Sequence, residues 1–173
     1  AVIAALYAIM TVVISPLSYG MVQCRFSESL IMLCAFTPAA IPGMTVGCLL
    51  SNLIFSGNAY DMLFGSLATL IGMLGVYLLR KLPYVAPLPY VLSNVIIVPF
   101  VLRLAYGVPD AFWFMMVTVG IGELVCALGG GIVLYDILAK VMYDEERDVE
   151  YSPLTCMNDE AIANRIKIAG ANP

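Results

Sequence analysis

The sequence contains no histidine. That removes the commonest proton relay and a principal metal ligand. Charge is scarce as well: Asp, Glu, Lys and Arg make up 12% of 173 residues, where a soluble domain carries about 25%. Hydrophobic residues make up 62%. Together these values exclude an ordinary soluble domain and point to a polytopic membrane protein built as one compact bundle. No C-x-x-C pair occurs among Cys24, Cys34, Cys48, Cys126 and Cys156. Four of these five lie in or beside apolar segments, where cysteine is expected to pack as a small hydrophobe. There is no G-x-x-x-x-G-K-[ST], H-E-x-x-H or G-x-S-x-G, and no pair of intramembrane aspartates. The chain therefore has no P-loop for ATP and no nucleophile–base pair for catalysis. We expect no enzymatic activity, and no metal or cofactor of its own.

The few charges are unevenly placed. Residues 1–143 hold five acids (Glu28, Asp61, Asp110, Glu123, Asp136) and five bases (Arg25, Arg80, Lys81, Arg103, Lys140). The whole net charge of −4 therefore lies in 144–173. Without a basic stripe, nucleic-acid binding is excluded. Two parts follow: a transmembrane bundle over 1–143 and an acidic tail over 144–173. In the tail, "NDEAIANRIKIAG" reads as a short helix, with Asn158 as cap and Gly170 as stop.

A bilayer core of about 30 Å needs roughly 20 helical residues to cross. Residues 1–17, 61–80, 87–106 and 111–139 each supply such a run. Residue 1 is Ala, so a short upstream piece is expected to be missing or processed, and the first run is read as a retained helix rather than a signal peptide. Asp61 is placed to cap its helix, and Pro99 to kink the next. Between the first two runs, 26–57 is interrupted by Pro38, Pro42 and Gly43. It forms either one broken crossing or two short helices framing a cavity, since irregular backbone at that depth survives only inside protein or beside water. We read six helices. Arg80, Lys81 and Lys140 then lie on the cytoplasmic side together with the tail.

Polar residues inside these apolar runs are the candidate site. Glu123, in "TVGIGELVCALGGG", is flanked by Gly120 and Gly122, which leave room for a ligand. A mid-span charge costs about 2.5–3.5 kcal/mol on insertion scales, so it faces a cavity, a ligand or a charged partner such as Arg25 or Arg103. Asn94 offers both donor and acceptor, and its alternative role is interhelical glue, as for Asn52. In "SYGMVQCRFSESL", Gln23, Arg25 and Glu28 gather near a helix start, where they either bind a ligand or form a solvated turn. Ala1, Ala4, Ala5 and Ala8 form two interlocked A-x-x-x-A sets, and Gly43 and Gly47 a G-x-x-x-G. Such faces let helices approach closely, within the bundle or against another protein.

Six segments together resemble the QueT family of queuosine-precursor transporters: "AALYAIMT", "SYGMVQCRFSESL", "FTPAAIPGMTVGCLLSN", "DMLFGSLATL", "APLPYVLSN" and "VGIGELV". The resemblance covers about 1–140. It implies a substrate-binding (S) component of an energy-coupling-factor (ECF) transporter: an all-α bundle of six transmembrane helices in the bacterial plasma membrane. It implies a deazaguanine base or queuine as ligand, a first loop acting as a lid, and partnership with a transmembrane coupling subunit and two ATPases that use the ATP. On this likeness Glu28 or Glu123 accepts the guanine-like N–H edge, Gln23 or Asn94 meets its carbonyl, and the other carboxylate neutralises an aminomethyl cation. Arg25 closes the lid. Ala4 and Ala8, or Ala1 and Ala5, form the docking face for the coupling subunit. The alternatives are an S component for another vitamin or purine, a membrane interaction protein without a small ligand, and an intramembrane enzyme acting on a lipid with Glu123 as base.

Overall fold

A computed structural model describes residues 1–14, 25–55, 57–107, 109 and 111–148. All regular structure among them is helical. In chain order come α1 (Val2–Val13), a 3₁₀ helix (Phe26–Ala35) and α2 (Ala40–Phe55). A π turn (Asp61–Gly65) then leads directly into α3 (Ser66–Leu78), followed by α4 (Leu88–Tyr106) and α5 (Phe112–Glu123). A second π turn (Leu124–Gly130) continues into α6 (Gly131–Asp148). The chain divides into two units, Ala1–Ile137 and Leu138–Pro173. The helix packing that frames the site lies within the first. The tail helix expected at 158–170 lies outside the described residues.

The outside of the first unit is apolar and its inside carries polar groups. Leu, Ile, Val and Phe side chains stand exposed along every α-helix of this unit, for example Ile9, Leu53, Leu67, Leu92 and Val117. Arg25, Glu28, Asn52, Asp61, Asn94 and Glu123 are buried. This distribution suits an apolar solvent, in which the polar groups must be satisfied internally. Two helices, Asp61–Leu78 and Phe112–Met142, are long and apolar enough to cross a membrane; four others are apolar but shorter.

The break expected in 26–57 falls at 36–39, beside Pro38, and separates two distinct helices. Pro42 is in the first turn of α2, where a missing N–H costs nothing. Pro99 lies inside α4, which runs on through it. Asp61 is not the cap anticipated for its helix. Asn58 takes that place: its Oδ1 accepts the Tyr60 N–H at 3.0 Å and its carbonyl accepts the Met62 N–H at 3.0 Å. Asp61 is thereby drawn inside, where Asn52 Nδ2 donates to its carbonyl at 3.1 Å.

Close packing of α1 on α2 decides which alanines face outward. A Cβ on Gly47 would lie 2.8 Å from Tyr7 Cβ and 2.9 Å from the Ala4 carbonyl, and one on Gly43 2.9 Å from Ile3 Cβ. The G-x-x-x-G of α2 is therefore the seat of α1. Ala4 and Ala8 are buried, while Ala1 and Ala5 are exposed. On the other side of the bundle, Gly72 and Gly75 of α3 receive Tyr90, Ser93 and Pro89 of α4. Ser93 Oγ donates to the Ala68 carbonyl at 3.0 Å across that contact. Cys34 and Cys48 are free and buried, as expected of small hydrophobes, whereas Cys126 departs from that expectation and is disulfide-bonded.

Candidate functional site

The second π turn begins immediately after Glu123. π turns widen a helix locally and recur at functional sites. Its far end is glycine-rich, and the 3₁₀ helix uses the space. A Cβ on Gly130 would lie 3.0 Å from Ser29 Cβ, and one on Gly131 3.1 Å from Met32 Cγ. This seat holds the start of the 3₁₀ helix, with Arg25 and Glu28, against the helix that bears Glu123. The Glu28 and Glu123 carboxyl groups meet there, with the Arg25 charge acting on both.

Three more helices close the site. From α4, Asn94 faces Glu123. Tyr90, one turn earlier on the same face, lies within the field of both carboxyl groups. From α1, Tyr7 stands near Glu28, Arg25 and Cys48. Thr11 Oγ1 donates to the Tyr7 carbonyl at 2.9 Å and lies 2.6 Å from Ser27 Oγ, so the Ser27 hydroxyl supplies the proton of that second bond. From α2, Cys48 Sγ receives Arg25 Nη1 at 4.0 Å and Asn52 Nδ2 at 3.6 Å. The guanidinium is thus anchored on α2 while its charge serves the carboxyl pair.

Five buried polar atoms of this cluster make no hydrogen bond: Tyr7 Oη, Glu28 Oε2, Tyr90 Oη, Asn94 Nδ2 and Glu123 Oε2. Each such atom costs about 1–3 kcal/mol, and native cores hold few of them. Five in one place, from four elements, form a surface of two acceptors, one donor and two hydroxyls that turn either way. Such a set is chemically complementary to a flat polar molecule with several N–H donors and at least one acceptor. The described residues hold no group of three or more Cys, Asp or Glu suited to a metal. A separate groove of about 310 Å³, walled by Tyr60, Phe64, Ile96, Phe100 and Leu104, is apolar throughout and has no part in this chemistry.

Of the residues singled out in the sequence, the structure brings together Arg25, Glu28, Asn94 and Glu123. Gln23 lies outside the described residues. Arg103 is exposed near the end of α4 and is not the partner of Glu123. Asn52 holds α2 to the first π turn and is structural glue. Tyr7, Tyr90 and Cys48 were not foreseen. The available signal was spacing: Tyr7 with Thr11, and Tyr90 with Asn94, are polar pairs four apart on otherwise apolar helices.

Comparison with known proteins places this architecture. The family described as QueT transporter matches residues 1–140. A queuosine precursor transporter QueT of Lactococcus lactis subsp. cremoris is 41% identical over 84 residues, which cover 47% of this chain and 49% of that relative. The match thus takes in about half the length of the curated relative. No solved structure matches the chain. With the match extending over the helices that carry Tyr7, Glu28, Asn94 and Glu123, the chain belongs to the QueT transporter family.

Proposed function

We propose that this chain is the membrane-embedded substrate-binding subunit for uptake of a queuosine precursor, a deazaguanine base or queuine. The observation that carries the reading is the cluster of five unpaired buried polar atoms around Arg25, Glu28 and Glu123. A guanine-type edge presents a ring N–H and an exocyclic amine side by side, with a carbonyl next to them. One carboxylate accepts the two donors, and Asn94 Nδ2 donates to the carbonyl. Tyr7 and Tyr90 complete the set by donating to, or accepting from, the ring edges. Arg25 holds the ligand in, and Gln23, two residues before it in the sequence, is assigned to the same ligand. The name of the Lactococcus relative points to the same class of ligand.

The chain carries no P-loop, so energy enters through partners. In this reading they are an ECF transmembrane coupling subunit and two ATPases. The face of α1 left outward, with Ala1 and Ala5, is the docking surface, while Ala4 lies against Gly47 of α2 and Ala8 is buried. Six helices span the plasma membrane in this reading, the two long ones together with the four shorter apolar ones. Arg80, Lys81 and Lys140 set their ends, and the acidic tail, in the cytoplasm. The test is uptake of labelled deazaguanine into proteoliposomes. Accumulation that needs this chain, the coupling module and internal ATP supports the proposal. Accumulation without ATP, or equal uptake of an unrelated vitamin, contradicts it.

A further inference from the structure

The seam between α3 and α4 is close-packed at one end and open at the other. Its contacts run in antiparallel order: Gly75 takes Pro89, Gly72 takes Tyr90, and the Ala68 carbonyl accepts the Ser93 hydroxyl. Past Ser93 the residues that line the seam are large. Tyr60 and Phe64 at the first π turn stand on one side, Ile96, Phe100 and Leu104 of α4 on the other, and between them opens the groove of about 310 Å³. Ring pairing keeps it open. The Tyr60 and Phe64 rings stack on each other with centroids 6.4 Å apart, and Phe100 turns to meet Phe112 of α5 edge-on at 4.8 Å. Neither pair crosses the seam.

In a membrane such a groove is filled, because empty walls forfeit their dispersion contacts. Two features decide what fills it. The first is the size of the wall residues. Membrane helices approach each other on small residues, as α1 does on Gly43 and Gly47; walls of Tyr, Phe, Ile and Leu offer no such seat. The volume is on the order of ten waters at about 30 Å³ each. That is room for a flexible hydrocarbon chain, and too little for a helix of about 10–12 Å diameter.

The second feature is charge. Arg103, in the last turn of α4, follows Ile96 by seven residues and Phe100 by three, so it lies on the same helix face at the open end of the groove. It is exposed. Tyr60 and Trp113, at the same end of the bundle, are exposed too, whereas Asp61 is buried. Exposed tyrosine, tryptophan and arginine together mark a membrane–water interface. A guanidinium at that level meets lipid head groups, and its fork fits a phosphate.

We propose that the groove between the first π turn and α4 is a site for one anionic phospholipid, with an acyl chain along Phe64, Ile96 and Phe100 and the phosphate on Arg103. The site is separate from the polar cluster. It rests on the membrane placement of the bundle and not on the identity of the transported ligand. In the orientation proposed above, this end lies away from Arg80 and Lys81, so the lipid comes from the outer leaflet.

The experiment is native mass spectrometry of the full chain, purified in detergent and equilibrated with equal amounts of phosphatidylglycerol and phosphatidylcholine of the same acyl chains. The unmodified chain should retain one phosphatidylglycerol, preferred about fivefold, which is what one cation near an anionic head group supplies. Arg103→Gln should bring the two lipids level. Leu104→Trp sets an indole into the groove from a position 68% exposed, and should reduce retention of both lipids. Arg103→Gln decides alone if Leu104→Trp does not fold. Level retention by the unmodified chain, or a preference that survives Arg103→Gln, overturns the proposal. So does retention unchanged in folded Leu104→Trp, which would seat the lipid elsewhere, and so does a protein dimer without lipid, which would make a second copy the occupant. None of these outcomes bears on deazaguanine binding, which is measured separately.

Discussion

Replacing Glu123 with Gln keeps the shape of the side chain and removes its charge. In the empty protein this change is tolerable. The new amide donates to the Glu28 carboxylate and so replaces the carboxyl–carboxyl contact. It also removes one buried ionisable group, and leaves a polar amide atom where the unpartnered Oε2 now stands. The number of unsatisfied buried atoms is the same before and after, so the melting temperature should hold to within the roughly 2–4 °C that about 1 kcal/mol represents for a chain of this size. In the complex the same change is costly, since an acceptor aimed at the ligand's N–H edge becomes in part a donor facing donors. Loss of one charge-assisted hydrogen bond costs about 1.5–3 kcal/mol, or roughly tenfold to a hundredfold in affinity. The assays are thermal unfolding of the ligand-free variant and calorimetric titration of the folded variant with deazaguanine. Stability held or raised with affinity lowered marks a residue kept in place for a ligand. Lower stability with unchanged affinity would refute the reasoning and make Glu123 a structural member of a buried ion network.

Arg25→Ala leaves two buried acids without their counter-charge and removes the contact proposed to hold the ligand in. The ligand dissociation rate should rise more than the association rate falls, as stopped-flow binding would reveal, and a change confined to association would make Arg25 a steering charge. Gly47→Ala places a Cβ against the Ala4 carbonyl and Tyr7. It should cost about 1–3 kcal/mol of stability and weaken binding through the displaced Tyr7, measured by thermal unfolding and titration on the same sample. Ala5→Leu, on the outer face of α1, should abolish co-purification with the coupling subunit while ligand binding survives. Ala8→Leu, on the buried face, should impair both, and the reverse pattern would move the docking surface to the other alanine pair. Tyr90→Phe removes one of the two unpaired hydroxyls without changing packing; a fall in affinity with an equal or higher melting temperature is expected.

How much of this was legible in the sequence followed from cost. Glu123, Asn94 and Glu28 stand out in apolar runs because a polar group in hydrocarbon is expensive, and the structure brings these three together around Arg25. The break near Pro38 was legible for a similarly local reason. Tyr7 and Tyr90 were not, because tyrosine is common in apolar helices and only its hydroxyl distinguishes a binding residue from a packing one. The two alanine sets on α1 could not be told apart either: both repeat at four residues, and the choice is made by Gly43 and Gly47 on a different helix. Asp61 looked like a cap because it precedes an apolar run, but Asn58 captures the first free N–H groups three residues earlier. The π turn after Glu123 has no residue signature beyond a glycine-rich end, and it is what lets the 3₁₀ helix bring Glu28 to its partner.

The central claim, that the polar cluster between α1, the 3₁₀ helix, α4 and α5 is a deazaguanine receptor, meets its most direct test in competitive retention. The purified chain is equilibrated with a mixture of deazaguanines, common purines and unrelated vitamins at equal concentration, freed of unbound molecules and denatured. Mass spectrometry then identifies what it held. The account predicts a deazaguanine in stoichiometric amount from the unmodified chain and its loss from Glu123→Gln. Retention of a purine or a vitamin in its place, or of nothing, would contradict it.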